Sequence, residues 1–183
     1  MSDAHAQEHL SRVLDERALR LARIPAEEKR RTLLYPAAIL VVGKTLVGIA
    51  VNALREVQTA APITPLPGLP EGMLGVAHVR GEVICVVDLS RWIGTEERGT
   101  GACLAVIEGP RGPLGLVADH CAGFRDVYEE DVVRDFAAAS KVRLRHVRAM
   151  TRDLVAILDV PELLADPRLI VGAPAPRTPE GLS

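Results

Sequence analysis

The stretch GVAHVRGEVICVVDL, Gly75 to Leu89, decides how the chain is read. Two apolar runs of strand length flank Arg80-Gly81, which supplies the glycine of a tight turn, so the segment predicts a β-hairpin. In its second arm Glu82, Ile84, Val86 and Asp88 share one face, and Val83, Cys85, Val87 and Leu89 share the other. The run is long and apolar enough to be buried on both faces. His78, Arg80, Glu82, Cys85 and Asp88 lie close together in it and invite a catalytic reading. Strand alternation opposes that reading: Cys85 points away from Glu82, and its histidine would have to come from His78 across the hairpin or from distant His120 or His146. Asp88 precedes the short helical run LSRWI and is read as its N-cap.

Working outward, AILVVGKTLVGIAV holds two β-branched runs around Gly43-Lys44, with glycine first as a type II′ turn prefers. A short strand, LREVQ, follows. APITPLPGLPEG carries too many prolines for regular structure and reads as an ordered surface loop. TEERGTG, Thr95 to Gly101, is a polar connector.

Beyond the connector the pattern starts again. CLAVIEGPRGPLGLVADHCAGF mirrors AILVVGKTLVGIAVNALREV, a second HVR stands at His146 to Arg148, and LVAILDVPELL resembles EVICVVDLSRWI. Gly115 follows Gly48 by 67 residues, His146 follows His78 by 68, and Asp159 follows Asp88 by 71. Matching the two HVR runs aligns Gly81 with Ala149 and leaves Glu82 without an equivalent. Asp159 is read as a second N-cap, strengthened by Pro161 and Glu162. A duplicated unit of about five short strands and one terminal helix predicts two small closed barrels, because closure removes exposed sheet edges.

Composition narrows the function. The chain has 183 residues, 48% hydrophobic and 25% charged, enough to bury roughly 70% of its unfolded surface. A net charge of −2 with interspersed signs disfavours nucleic acid and anionic membranes, and 3% aromatics leaves little for base stacking. No signal peptide is recognisable, and no segment approaches about 18 uninterrupted apolar residues, so a cytoplasmic protein without membrane insertion is expected. Cys85, Cys103 and Cys121 lack a CxxC pair and read as buried small hydrophobes. The histidines lack zinc-site spacing, so no metal or other cofactor is expected. GxGxxG, GxxxxGK[ST] and GxSxG are absent, and GPRGP, Gly109 to Pro113, is turn chemistry. From Asp3 to about Arg23, apolar residues at helical spacing predict an amphipathic helix ahead of the β-rich body.

With these motifs in view, the body from about Tyr35 to Ile170 resembles the CheW family of chemotaxis coupling proteins. VGIAVNALREV, LPEGMLGVAHVRGEVICVVDLSRWIG, GPLGLVADHCAGF and VRAMTRDLVAILDVPELL carry the match in order and spacing. The resemblance implies a mainly β fold of two intertwined five-stranded SH3-like barrels and no catalysis. It implies an extension over 1–34, barrels at about 35–94 and 101–172 with strand exchange allowed, and a tail over 173–183.

The implied role is an adaptor. It would join the cytoplasmic tip of a chemoreceptor to the regulatory domain of a CheA-type histidine kinase, and would be recruited to receptor clusters. Leu54, Glu56 and Val57 match the receptor-facing strand, Gly75 and Arg80 the turn region coupled to it, and Gly115 and Val117 the second barrel's edge of a receptor groove. On that picture Leu54, Val57 and Val117 line the groove while Glu56 and Arg80 set register at its rim. Arg55, beside Glu56, and the lack of an aromatic in the first hairpin depart from the family pattern. A competing reading is a small-ligand sensor or dedicated regulator using the groove between the barrels.

Overall fold

Local turn chemistry builds the first element pair. Strands β1 (Leu33–Val42) and β2 (Thr45–Ala50) are antiparallel, with Val42 opposite Thr45 across Gly43-Lys44. Gly43 has φ 58° and Lys44 no positive φ, as a turn with glycine first requires. The computed structural model describes residues 31–95, 100–133 and 145–170. The helix expected from Asp3 to Arg23 lies outside the described residues, as does the tail over 173–183.

The remaining strands are β3 (Leu54–Thr59), β4 (Ile63–Thr64), β5 (Met73–Val79), β6 (Glu82–Asp88), β7 (Cys103–Ile107), β8 (Leu114–Ala118), β9 (His120–Tyr128), β10 (Val132–Val133), β11 (Val147–Thr151) and β12 (Val155–Leu158). Helices α1 (Leu89–Ile93) and α2 (Val160–Leu164) follow β6 and β12. Asp88 accepts from the Ser90 amide and Asp159 from the Glu162 amide, each at 3.0 Å, so both aspartates cap as expected. The proline-rich loop is not wholly irregular, since Ile63–Thr64 pairs with Val76–Ala77.

Two six-stranded sheets result, ordered β10-β11-β12-β2-β1-β9 and β3-β7-β8-β6-β5-β4. The halves at 35–94 and 101–172 exchange strands between them: β1 and β2 join β9 to β12, while β7 and β8 join β3 to β6. Read from its other end, the second sheet repeats the first strand for strand. Each contains one parallel pair, β12 with β2 and β6 with β8, placing Gly48 beside Ile157 and Gly115 beside Val86. The sixth strand of each sheet, two residues long, was not expected from sequence.

Both faces of both sheets are put to use. Leu40, Val42, Val87, Ala105, Leu116, Trp92 and Leu163 belong to a core shared by the sheets. Ile84, Val86, Leu104, Val106 and Val117 form a core within the second sheet, and Ala37, Ile39, Val155 and Ile157 one within the first. A sheet that gathers Ile63 of β4, Leu104 of β7 and Val117 of β8 around one core is curled on itself, as a small barrel must be. Cys85 departs from expectation: it is exposed, as is neighbouring Val83 at 69%, because this face of β6 is covered only from Val87 onward.

The repeat's second landmark, His78 with His146, also fails. Pairing of β5 with β6 and of β11 with β12 makes Gly72, not His78, the counterpart of His146. The carbonyls of Gly72 and His146 accept from the amides of the capping Asp88 and Asp159, at 2.8 and 2.7 Å. Both residues have positive φ, 90° and 55°. His146 is nine-tenths buried and lies 6.2 Å from Trp92 ring to ring, whereas a Cβ on Gly72 would come within 2.8 Å of Trp92 Nε1. Arg168 covers Trp92 at 4.2 Å and its hydrogen bonds hold the Asp166 carboxyl below the usual range.

Candidate functional site

LREVQT forms an edge strand, β3, whose register with β7 slips between Leu54 and Glu56. Such a bulge re-aims side chains, and here Arg55 and Glu56 both reach the hairpin of β5 and β6. Arg55 Nη1 donates to Glu82 Oε2 at 2.7 Å, and Arg80 Nε donates to Glu56 Oε2 at 2.5 Å. Arg55 Nε also lies 3.6 Å from Glu108 Oε1. In the sheet order β3 stands three places from β6, so these pairs span the ends of the curl and clasp it.

The two members of the Glu56–Arg80 pair have unequal surroundings. The Glu56 side chain is 12% exposed and its Oε1 is buried with no partner, whereas Arg80 is 70% exposed. Arg80 and Gly81 both have positive φ, 47° and 88°, the pattern of a type I′ turn. Arginine at such a φ costs about 1–2 kcal/mol relative to an extended or helical conformation. The turn therefore holds a strained cation over a buried carboxylate. Glu56 is closed to outside donors by its burial, whereas the mostly exposed Arg80 can offer its remaining N–H groups to an acid.

The first sheet carries its own clasp. Arg125 of β9 donates through Nη1 and Nη2 to both oxygens of Asp153, which also accepts from Thr151 Oγ1 at 2.6 Å. These bonds, Arg125 first and Thr151 next, hold the Asp153 carboxyl far below the ordinary carboxylate range, and Asp153 in turn raises the Arg125 guanidinium. Glu82 likewise raises Arg55.

Of the seven receptor-facing candidates, the structure brings Glu56 and Arg80 together and separates the others. Leu54 and Val57 pack against the shared core. Val117 is 8% exposed and faces the second sheet's own core, on the opposite side of the sheet. Gly115 faces the same way, since a Cβ there would meet Leu104 at 2.9 Å and Ile84 at 3.3 Å. Leu54, Val57 and Val117 therefore do not line one groove, a correction imposed by strand alternation. Gly75 is buried at φ 140°, and a Cβ would fall 2.1 Å from the Thr64 carbonyl oxygen; its glycine answers to the crossing backbone.

Sequence reasoning left Arg55, Glu82 and Glu108 outside the site. A signal for two of them existed: Leu54-Arg55-Glu56-Val57 recurs as Phe124-Arg125-Asp126-Val127, and Asp153 stands two residues before Val155 as Glu82 stands before Ile84. Elsewhere the chemistry is sparse. Burial pushes the Cys103 thiol up. Among the described residues no group of three or more metal-ligating side chains converges, and no helix is long and apolar enough to cross a membrane.

Paired, curled sheets with charged clasps at their rims define a β-rich twin-sheet domain. The chain belongs to the CheW-like domain family, whose model matches residues 37–168. It is 34% identical over 94 residues to Protein FrzA of Myxococcus xanthus, covering 50% of this chain and 59% of that protein. It is 29% identical over 86 residues to Chemotaxis protein CheW of Rhizobium meliloti (strain 1021), covering 46% and 56%. The chain thus spans less than two thirds of either relative. The crystal structure of scaffolding protein TtCheW from Thermoanaerobacter tengcongensis superposes with a TM-score of 0.63 at 20% identity, covering 73% of this chain and 94% of that one, and shares the fold.

Proposed function

We propose that this domain is a non-catalytic adaptor that couples the signalling tip of a chemoreceptor to the regulatory domain of a CheA-type histidine kinase. The observation that carries the reading is the Glu56–Arg80 pair, set on the strand and turn that match the family's receptor-facing segments. An exposed cation anchored on a buried carboxylate suits a protein partner bearing acids. Leu54 and Val57 flank the pair on the same strand and supply apolar area beside it. Within this reading the domain transmits signal only if receptor state changes which arrangement of the assembly is favoured.

The test is binding of a receptor signalling fragment, with a receptor-dependent kinase assay beside it. Replacing Arg80 alone leaves Glu56 unpaired and is expected to reduce stability as well as affinity. The reciprocal exchange, Glu56→Arg with Arg80→Glu, restores a pair but reverses the field a partner meets. It should recover stability and still bind the receptor fragment at least tenfold more weakly. Unchanged affinity in the folded exchange variant, or no binding of the native domain to either protein, would refute the reading.

A further inference from the structure

The repeat makes two equivalent clefts, and they are not alike. At the first sheet a cleft of about 290 Å³ has a floor of Ala50, Leu158 and Val160 and a rim of Tyr35, Asn52 and Arg148. At the second sheet the corresponding cleft is about 160 Å³, with Leu74 in the place of Arg148, Ser90 in that of Pro161 and Val117 in that of Ala50. Leu74 and Arg148 are true counterparts: each is the extra residue where strand register slips, between Met73 and Gly75 and between Val147 and Ala149. The fold accepts leucine at this bulge, so an arginine there is not an architectural need.

Arg148 is held in a particular way. Its guanidinium carbon lies over the Tyr35 ring, 4.9 Å from the centre, a cation–π contact that holds the group at the cleft and uses none of its N–H donors. Among the described residues no carboxylate pairs with it. The cation therefore stands at the mouth of an apolar hollow without a counter-ion. Leu158 and Val160 are buried at its base, and Asn52 is exposed at the rim, where its amide can donate or accept.

We infer that this cleft is a binding site for a compact apolar monocarboxylate. One guanidinium edge matches the two oxygens of one carboxylate. A phosphate or dicarboxylate would bring a second charge that no other described residue lining the cleft answers, and an uncharged apolar molecule would leave Arg148 unused. The volume, at the low end for ligand pockets, limits the body to one ring or a short branched chain. None of Leu54, Glu56, Val57, Gly75, Arg80, Gly115 and Val117 lines the cleft, so the inference stands apart from the adaptor reading.

Titration of the ¹⁵N-labelled full chain with phenylacetate, and separately with the neutral phenylacetamide, tests it. Phenylacetate should shift the Ala50, Asn52, Ala53 and Val160 amides saturably, and phenylacetamide should bind at least tenfold more weakly. Arg148→Gln should erase that preference while its remaining spectrum stays native. Arg111→Gln, a cation outside the cleft, should keep it. Absence of saturable shifts at these amides in the millimolar range, equal binding of acid and amide, or a preference that survives Arg148→Gln would each overturn the assignment.

Discussion

The two halves of the domain solve the same closure problem with different chemistry. In the first sheet Arg125 grips both oxygens of Asp153, with Thr151 as a third member. In the second, Arg55 divides itself between Glu82 and Glu108, and Glu56 with Arg80 forms a further pair. Each clasp leaves one buried polar atom unanswered, Arg125 Nε in the first and Glu56 Oε1 in the second, but only the second carries a mostly exposed cation. The same closure is thus braced by one two-pronged pair in one sheet and by a spread of pairs, one of them mostly exposed, in the other.

That contrast can be broken most severely at the shared centre. Trp92 and Leu163 occupy equivalent places in α1 and α2 and both are fully buried, but the indole also meets His146 and Arg168. Trp92→Ala should cost about 3–5 kcal/mol in denaturant unfolding. A loss no greater than that of Leu163→Ala would mean the halves share the core evenly.

Gly75 and Ala149 are the next pair, since they hold the same register positions opposite Val86 and Ile157. Gly75→Ala should destabilise by about 3 kcal/mol, because both its φ and the Thr64 carbonyl forbid a Cβ. Ala149→Gly should cost only about 0.5–1 kcal/mol.

The clasps themselves are worth less, being half exposed. Arg125→Gln should cost at most about 1 kcal/mol at neutral pH. Because the folded Asp153 carboxyl is depressed, its contribution is present above the unfolded value of about 3.9 and is lost as pH falls below it. Asp153→Asn should therefore flatten the acid limb of a stability profile below about pH 4. An unchanged limb would show that the bidentate pair adds nothing. Arg55→Gln should perturb stability less than Arg125→Gln.

The smallest effect is expected at the hairpin tips. Val83 and Leu154 are equivalent and exposed, at 69% and 70%, but only Leu154 has positive φ, 64°. Leu154→Gly should relieve the backbone and raise stability by up to about 1 kcal/mol, while Val83→Gly should not.

What could be read from sequence was local. Gly43-Lys44, Arg80-Gly81, Asp88 and Asp159 specify their turns and caps through chemistry contained in a few neighbouring residues, and each stands where it was expected. The spacing of Gly48 and Gly115 marked the repeat correctly because both sit at the parallel strand pair of their sheets. The second HVR misled because the hairpin of β11 and β12 is three residues shorter between equivalent pairs, Ala77 with Ile84 and Thr151 with Val155, so a chance likeness replaced a positional one. Sheet partners, the face presented by Val117 and the exposure of Cys85 depend on which distant strand lies alongside. No pattern within a strand records that.

The exchange of β1 and β2 into the company of β9 to β12 sets a timetable for the nascent chain. The first hairpin to leave the ribosome cannot complete its sheet until nearly the whole domain has been translated, since its neighbours β9 and β12 come last. Until then its sheet edges lack their native cover, and β9 and β12 of another molecule offer the same complement. Synthesis rate and chaperone access, more than native-state stability, would govern how much of this protein reaches its folded form.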